Sequence, residues 1–142
     1  MNIGAAGTFV VRKPGSRARF LAALRSKLPF ETLVVVCDGR DFMRLETEHP
    51  YGPKPPPAGV VRFVSIMPNA ARLEIPLPVR LPTTGQWLVR VIGADRQYVF
   101  GEYRRHMKTI GYLGQIDRMS RVQATTRNWN TIEAVLRILK DQ

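Results

Sequence analysis

The chain of 142 residues has a single cysteine, Cys37, and two histidines, His49 and His106. One cysteine excludes a disulfide within the chain. Three Cys and His side chains are too few for a zinc site built from four such ligands. Acidic residues are scarce, 11 against 22 Lys and Arg, leaving a net charge of +11. Long apolar runs are missing too: a stretch such as Leu33 to Cys37 is far too short to span a bilayer. No basic head with an apolar core opens the sequence, so no signal peptide is expected, and the reading is a soluble cytoplasmic protein. The 44% hydrophobic content still supports a packed globule rather than disorder.

What is present in excess is positive charge, and it is uneven. Between Met1 and Phe30 stand six basic residues and no acidic one. A second excess lies between Arg96 and Arg127, with seven basic residues against two acidic ones. Such charge favours polyanionic partners, nucleic acid first and an anionic metabolite second. Scattered arginines on a solvated surface are the competing explanation.

Hydrophobic periodicity predicts an α+β fold of two small sheet-containing halves, a βαβα unit and then a mostly antiparallel sheet with two C-terminal helices. In the first half, Thr8 to Lys13 reads as a strand. Ser16 caps a helix from Arg17 to Leu28 with Phe20, Leu21, Leu24 and Leu28 on one stripe. Glu31 to Cys37 reads as a buried strand, which makes Cys37 an inert core thiol. Asp38 and Asp41 resemble a capping box for a helix from Arg40 to Glu48. His49, at the end of that helix, is expected to be a favourable cation against the helix dipole. The domain boundary falls in the Pro-rich segment: residues 1–50 form the first half, 51–58 a stiff connector and 59–142 the second half.

In the second half Gly59 to Met67 is the clearest strand. Arg72 to Leu81 alternates but carries prolines that confine it to an edge. Gln86 to Ile92 and Gln97 to Tyr103 form a hairpin across Gly93-Ala94-Asp95-Arg96. Tyr112 to Arg121 and Asn128 to Lys140 are the closing helices. In the last one, Ile132, Val135, Leu136, Ile138 and Leu139 form the apolar stripe.

No catalytic set emerges. Gly4-Ala5-Ala6-Gly7 lacks the Gly-Lys-Ser/Thr ending of a phosphate loop and precedes a strand. Asp38, Asp41, Glu46 and Glu48 are explained by capping and solvation. No metal or cofactor is expected. The start of the last helix is more informative. Thr125, Thr126 and Asn128 compete for its cap. Arg127 adds an anion donor at the positive end of the helix, and Trp129 adds either an anchor or a stacking face. The candidate polyanion surface therefore comprises Arg12, Lys13, Arg17 and Arg19 on one side, with Arg104, Arg105, Lys108, Arg121, Arg127 and Trp129 on the other.

The string Thr-Thr-Arg-Asn-Trp-Asn-Thr at Thr125 to Thr131, followed by an apolar helix, resembles the C-terminal signature of bacterial domain-of-unknown-function family sixteen-ninety-seven. Asn2 to Val11 is similar to that family's Ser-Gly-Asn-Val-Val-Phe-like strand. The resemblance implies an α+β fold of two small halves and supplies no reaction, cofactor or substrate. The family's opening strand-helix unit, with its Arg-Gly-Ile-Asn-Val-Gly segment, has no counterpart here. Its Gly-x-Ser-Lys segment is also lacking, the nearest stretch being His106 to Leu113. An exposed sheet edge or apolar face in the first half is expected in consequence, open to cover by a second copy of the chain. The leading functional expectation is a non-enzymatic nucleic-acid or polyanion-binding module. The alternatives are a structural or protein-interaction domain and an enzyme acting on a phosphorylated small molecule.

Overall fold

The computed structural model describes residues 2–3, 7–68, 76–120 and 123–141. Its centre is a five-stranded antiparallel sheet in the order β4-β5-β6-β3-β7. The strands are β3 (Val60–Ile66), β4 (Val79–Leu81), β5 (Val89–Asp95), β6 (Tyr98–Arg104) and β7 (Thr125–Asn128). The N-terminal segment adds a two-stranded ribbon, β1 (Asn2–Ile3) with β2 (Thr8–Phe9). Helices are α1 (Arg17–Lys27), α2 (Gly39–Met43), α3 (Leu45–Glu48), α4 (Thr109–Ser120) and α5 (Trp129–Lys140). The fold is α+β, as the periodicity predicts.

Alternation of side chains divides the core between the two faces of the sheet. Val64, Ile66, Tyr98 and Phe100 pack against Phe42 and Leu45 of α2 and α3 and against Ile132, Val135 and Leu136 of α5. On the other face, Phe63, Met67, Val89, Val91 and Val99 pack against Ile116 of α4. The segments before and after the prolines thus share one core.

Several local expectations need correction. No ladder forms over residues 31–37, so the βαβα unit lacks its second sheet strand. Residues 33–37 are nonetheless half-buried, and Val35 and Cys37 pack against the core. The first strand is cut to Thr8–Phe9, the two residues that pair with Ile3 and Asn2, and Lys13 and Gly15 take positive φ where the chain turns before α1. The helix expected from Arg40 to Glu48 breaks at Arg44 into α2 and α3. Asp38 caps α2 by accepting from the Arg40 and Asp41 amides at 2.9 and 3.3 Å. Asp41 does not close a capping box; it pairs with Arg96 and accepts from the Tyr98 hydroxyl. That pair, with Arg96 to Glu48 at 2.9 Å, ties the β5–β6 turn to α2 and α3. The hairpin turns at Arg96–Gln97, two residues later than expected, with Arg96 at φ +54°. Residues 72–75 of the expected edge strand and Arg121 lie outside the described residues.

β7 is a strand that periodicity does not reveal. Thr125 and Thr126 lie in it, opposite Ile66 and Ser65, and the Ser65 and Thr126 hydroxyls are 2.7 Å apart. The cap of α5 is Asn128, which is exposed and accepts from the Thr131 amide at 3.0 Å.

Gly101 on β6 is fixed by close approach. A Cβ there would meet the Phe63 ring and stand 2.6 Å from the Arg90 carbonyl oxygen. Gly101→Ala is therefore expected to lower unfolding free energy by about 1–3 kcal/mol, the usual cost of overpacking a tight core. Urea denaturation with an unchanged midpoint would contradict this packing.

Candidate polyanion-binding face

The pairing register builds a polar row across four strands. Arg80 on β4 stands opposite Arg90 on β5, Arg90 opposite Glu102 on β6, and Glu102 opposite Arg62 on β3. At ordinary strand spacing this row spans about 14 Å. Glu102 is buried and pairs with Arg90, while Arg62 Nε lies 3.9 Å from its other oxygen. A buried carboxylate is tolerated only when paired, so the two arginines hold it and it holds them.

The two ends of the row differ. Arg62 is engaged: its Nη2 donates to the Lys54 carbonyl at 2.7 Å, and its guanidinium lies 5.1 Å from the Tyr51 ring centre. The Tyr51 hydroxyl reaches the Phe63 carbonyl and accepts from the Gly101 amide at 3.2 Å. Burial, its largest cause, pushes the Tyr51 hydroxyl far above the usual tyrosine range. The other end is open. Arg80 is exposed, and Arg90 and Arg104 lie 4.8 and 4.2 Å from the centre of the Trp87 ring. Arg104 Nε donates to the Trp87 carbonyl at 3.1 Å. Its terminal amino groups make no hydrogen bond among the described residues. Arg105, exposed, follows directly.

The structure does not gather all the basic residues expected from sequence. Arg104 joins the open end of the row, and Arg105 is its exposed chain neighbour. Lys108 is exposed on the turn into α4, where its amide donates to His106 Nδ1 at 3.1 Å. Arg12, Lys13, Arg17 and Arg19 are exposed on the β2–α1 segment. That segment adjoins the opposite sheet edge, because Arg127 of β7 donates to the Thr8 hydroxyl at 2.8 Å. Arg127 also donates to Thr125 Oγ1 and the Thr126 carbonyl, both at 2.9 Å. It is an internal brace rather than a phosphate donor at the start of α5, and burial lowers its pKa. Trp129 is half-buried, with His49 and Tyr51 rings 4.9 and 5.3 Å away.

Sequence reading passed over Arg62, Arg80, Arg90 and Trp87. The available signal was an arginine within each of three apolar strands, Arg62, Arg80 and Arg90, on a face that should otherwise be core. His49 also departs from expectation. Burial and the nearby Arg62 lower its pKa, outweighing Glu133, and Nδ1 accepts from the Tyr51 amide at 3.3 Å. It is a neutral ring in an aromatic cluster, not a helix-end cation.

A cavity of about 200 Å³ lies beside Arg127, lined by Thr8, Cys37, Phe42, Ile66 and Ile132 among others. Its lining includes no carboxylate or histidine, and burial pushes the Cys37 thiol up. Among the described residues no metal-ligating cluster occurs, and no helix is long and apolar enough to cross a membrane. No family model, curated protein or solved structure matches the chain.

Two outcomes follow from this geometry. Glu102→Gln leaves two arginines facing each other around a neutral amide. Because Arg90 is 31% exposed, the expected loss is near the low end for a broken buried pair, about 3 kcal/mol. A loss under about 1 kcal/mol in urea would contradict the pairing. For His49, the folded form binds its proton less readily than the unfolded chain, whose pKa is near 6.5. The unfolded state therefore takes up more protons as pH falls below about 6.5, and stability declines there. The same pH series on His49→Gln is expected to show a shallower decline; an identical slope would contradict the assignment.

Proposed function

We propose that the chain is a non-enzymatic binding module for a polyanion, with single-stranded nucleic acid as the preferred partner. The observation that carries this reading is the open end of the sheet row, where Arg90 and Arg104 lean on Trp87 beside exposed Arg80. Guanidinium groups held by an ion pair, a carbonyl and an aromatic ring lose little freedom on meeting phosphate. Their guanidinium planes suit stacking with unpaired bases, which an antiparallel sheet presents well. Neither this face nor the cavity offers a paired acid and base, so the reading invokes no reaction. Membership of the resembled family is part of the proposal. Its shared string supplies β7, the α5 cap and the Arg127 brace, all of them scaffold.

A second reading, a protein-interaction domain, is favoured by a different observation. Phe9 and Phe30 are 65% and 63% exposed, and α1 has no buried residue. The two readings separate in one experiment, fluorescence anisotropy of a labelled single-stranded RNA across a salt series. The polyanion reading expects log K to fall by roughly 0.7 per phosphate contact per log unit of salt. Arg80→Ala with Arg104→Ala is expected to flatten that slope by about 1–2. Absence of binding at low salt would overturn the reading and favour the second.

A further inference from the structure

One end of the sheet is built from segments without acidic residues. Residues 76–94 and 103–116 contain no Asp or Glu. Pairing of Leu81 with Val89, and of Val89 with Tyr103, brings these segments together, and α4 follows directly. The carboxylates of the sheet lie elsewhere. Glu102 is buried and paired with Arg90. Asp95 closes β5, a strand length of about 20 Å from Val89. Asp41 and Glu48 meet Arg96 at that same far turn. Asp117, beyond the first two turns of α4, accepts from the Ala124 amide at 3.1 Å.

Two large apolar side chains stand out from the acid-free end. Met107 and Ile110, three apart across the turn into α4, are 90% and 81% exposed. Arg105 and Lys108, both exposed, flank Met107 in the chain. The backbone of the turn is satisfied from within. Lys108 donates its amide to His106 Nδ1 at 3.1 Å, and the Thr109 amide donates to the His106 carbonyl at 3.0 Å. The Thr109 hydroxyl donates to the Arg104 carbonyl at 2.6 Å. The tip can therefore leave water without orphaning these groups. Behind it, Gly111, Gly114 and Arg118 continue the exposed face of α4, and a Cβ at either glycine would meet nothing within 4 Å. Ile116 turns inward to the core. The arginine row lies on the other side of the sheet, since Arg62 and Glu102 alternate with the residues that pack under α5.

We infer that the turn into α4 docks on the surface of an anionic lipid bilayer. Met107 and Ile110 enter the boundary between headgroups and acyl chains, and Arg105 and Lys108 rest on the headgroup anions. Side chains this exposed would need a matching pocket in a rigid protein partner, whereas a fluid interface closes around them. A second copy of the chain would bring the same cations and be repelled. The inference does not rest on the nucleic-acid reading.

Vesicle flotation with the full chain tests it. The probes are pure phosphatidylcholine vesicles and phosphatidylcholine vesicles with about one-third phosphatidylserine. The protein is expected to bind the anionic vesicles about tenfold more tightly than the neutral ones. Met107→Ser with Ile110→Ser changes only exposed side chains. It is expected to weaken anionic-vesicle binding about tenfold and to leave single-stranded RNA binding unchanged. Gly114→Leu adds apolar surface where there is open space and is expected to tighten vesicle binding. Failure to bind anionic vesicles at low salt would overturn the inference. So would equal vesicle binding by the serine variant and the parent chain, or weaker binding by Gly114→Leu. RNA binding lost in the serine variant would assign the tip to nucleic acid and overturn it as well.

Discussion

The pairing of buried Glu102 with Arg62 and Arg90 constrains the rest of the sheet. A carboxylate removed from water must be met by cations, and here they come from the strands on either side of β6. Slipping either neighbour by one residue would turn its arginine to the opposite face and leave the charge alone. The register that satisfies Glu102 also sets Val64 beside Phe100 and Ile66 beside Tyr98, which builds the core under α5. It carries Arg80 to the end of the same row. Stability and surface charge are thus fixed by one alignment.

The two ends of the row differ because of the Pro-rich segment. Tyr51 and Lys54 fold over Arg62 and accept from its Nη2, while Tyr51 bonds to the backbone of β3 and β6. At the far end two guanidinium groups lie over Trp87, and Arg80 is exposed beside them. The prolines therefore act as a cover as well as a connector. The segment from Thr8 to Cys37 makes its own arrangement: a short ribbon, a helix with no buried residue and a strand-like run without a ladder.

What could be read from sequence follows physical lines. β3 and α5 were legible because their apolar residues recur with clean periods of two and of three to four. The β5–β6 hairpin was legible, but its turn was misplaced because Gly93 and Asp95 look like turn residues; Arg96 takes the positive φ instead. β7 was hidden because Thr-Thr-Arg-Asn is polar and abuts a helix cap, and its place is set by pairing with β3. Residues 31–37 misled for the opposite reason: composition favours a strand, but a strand needs a neighbour. Of the candidate face, Arg104 was legible through charge clustering. Arg80 and Arg90 were not, since only register brings residues so far apart in sequence together.

The central claim is that the open end of this row receives a polyanion, and amide chemical-shift mapping tests it most directly. Titration of the labelled protein with a short single-stranded RNA at low salt should move the signals of Arg80, Leu88 to Arg90, Arg104 and Arg105 most. The basic segment from Arg12 to Arg19 should move little. Shifts confined to that N-terminal segment, or spread evenly over every basic residue, would contradict the account.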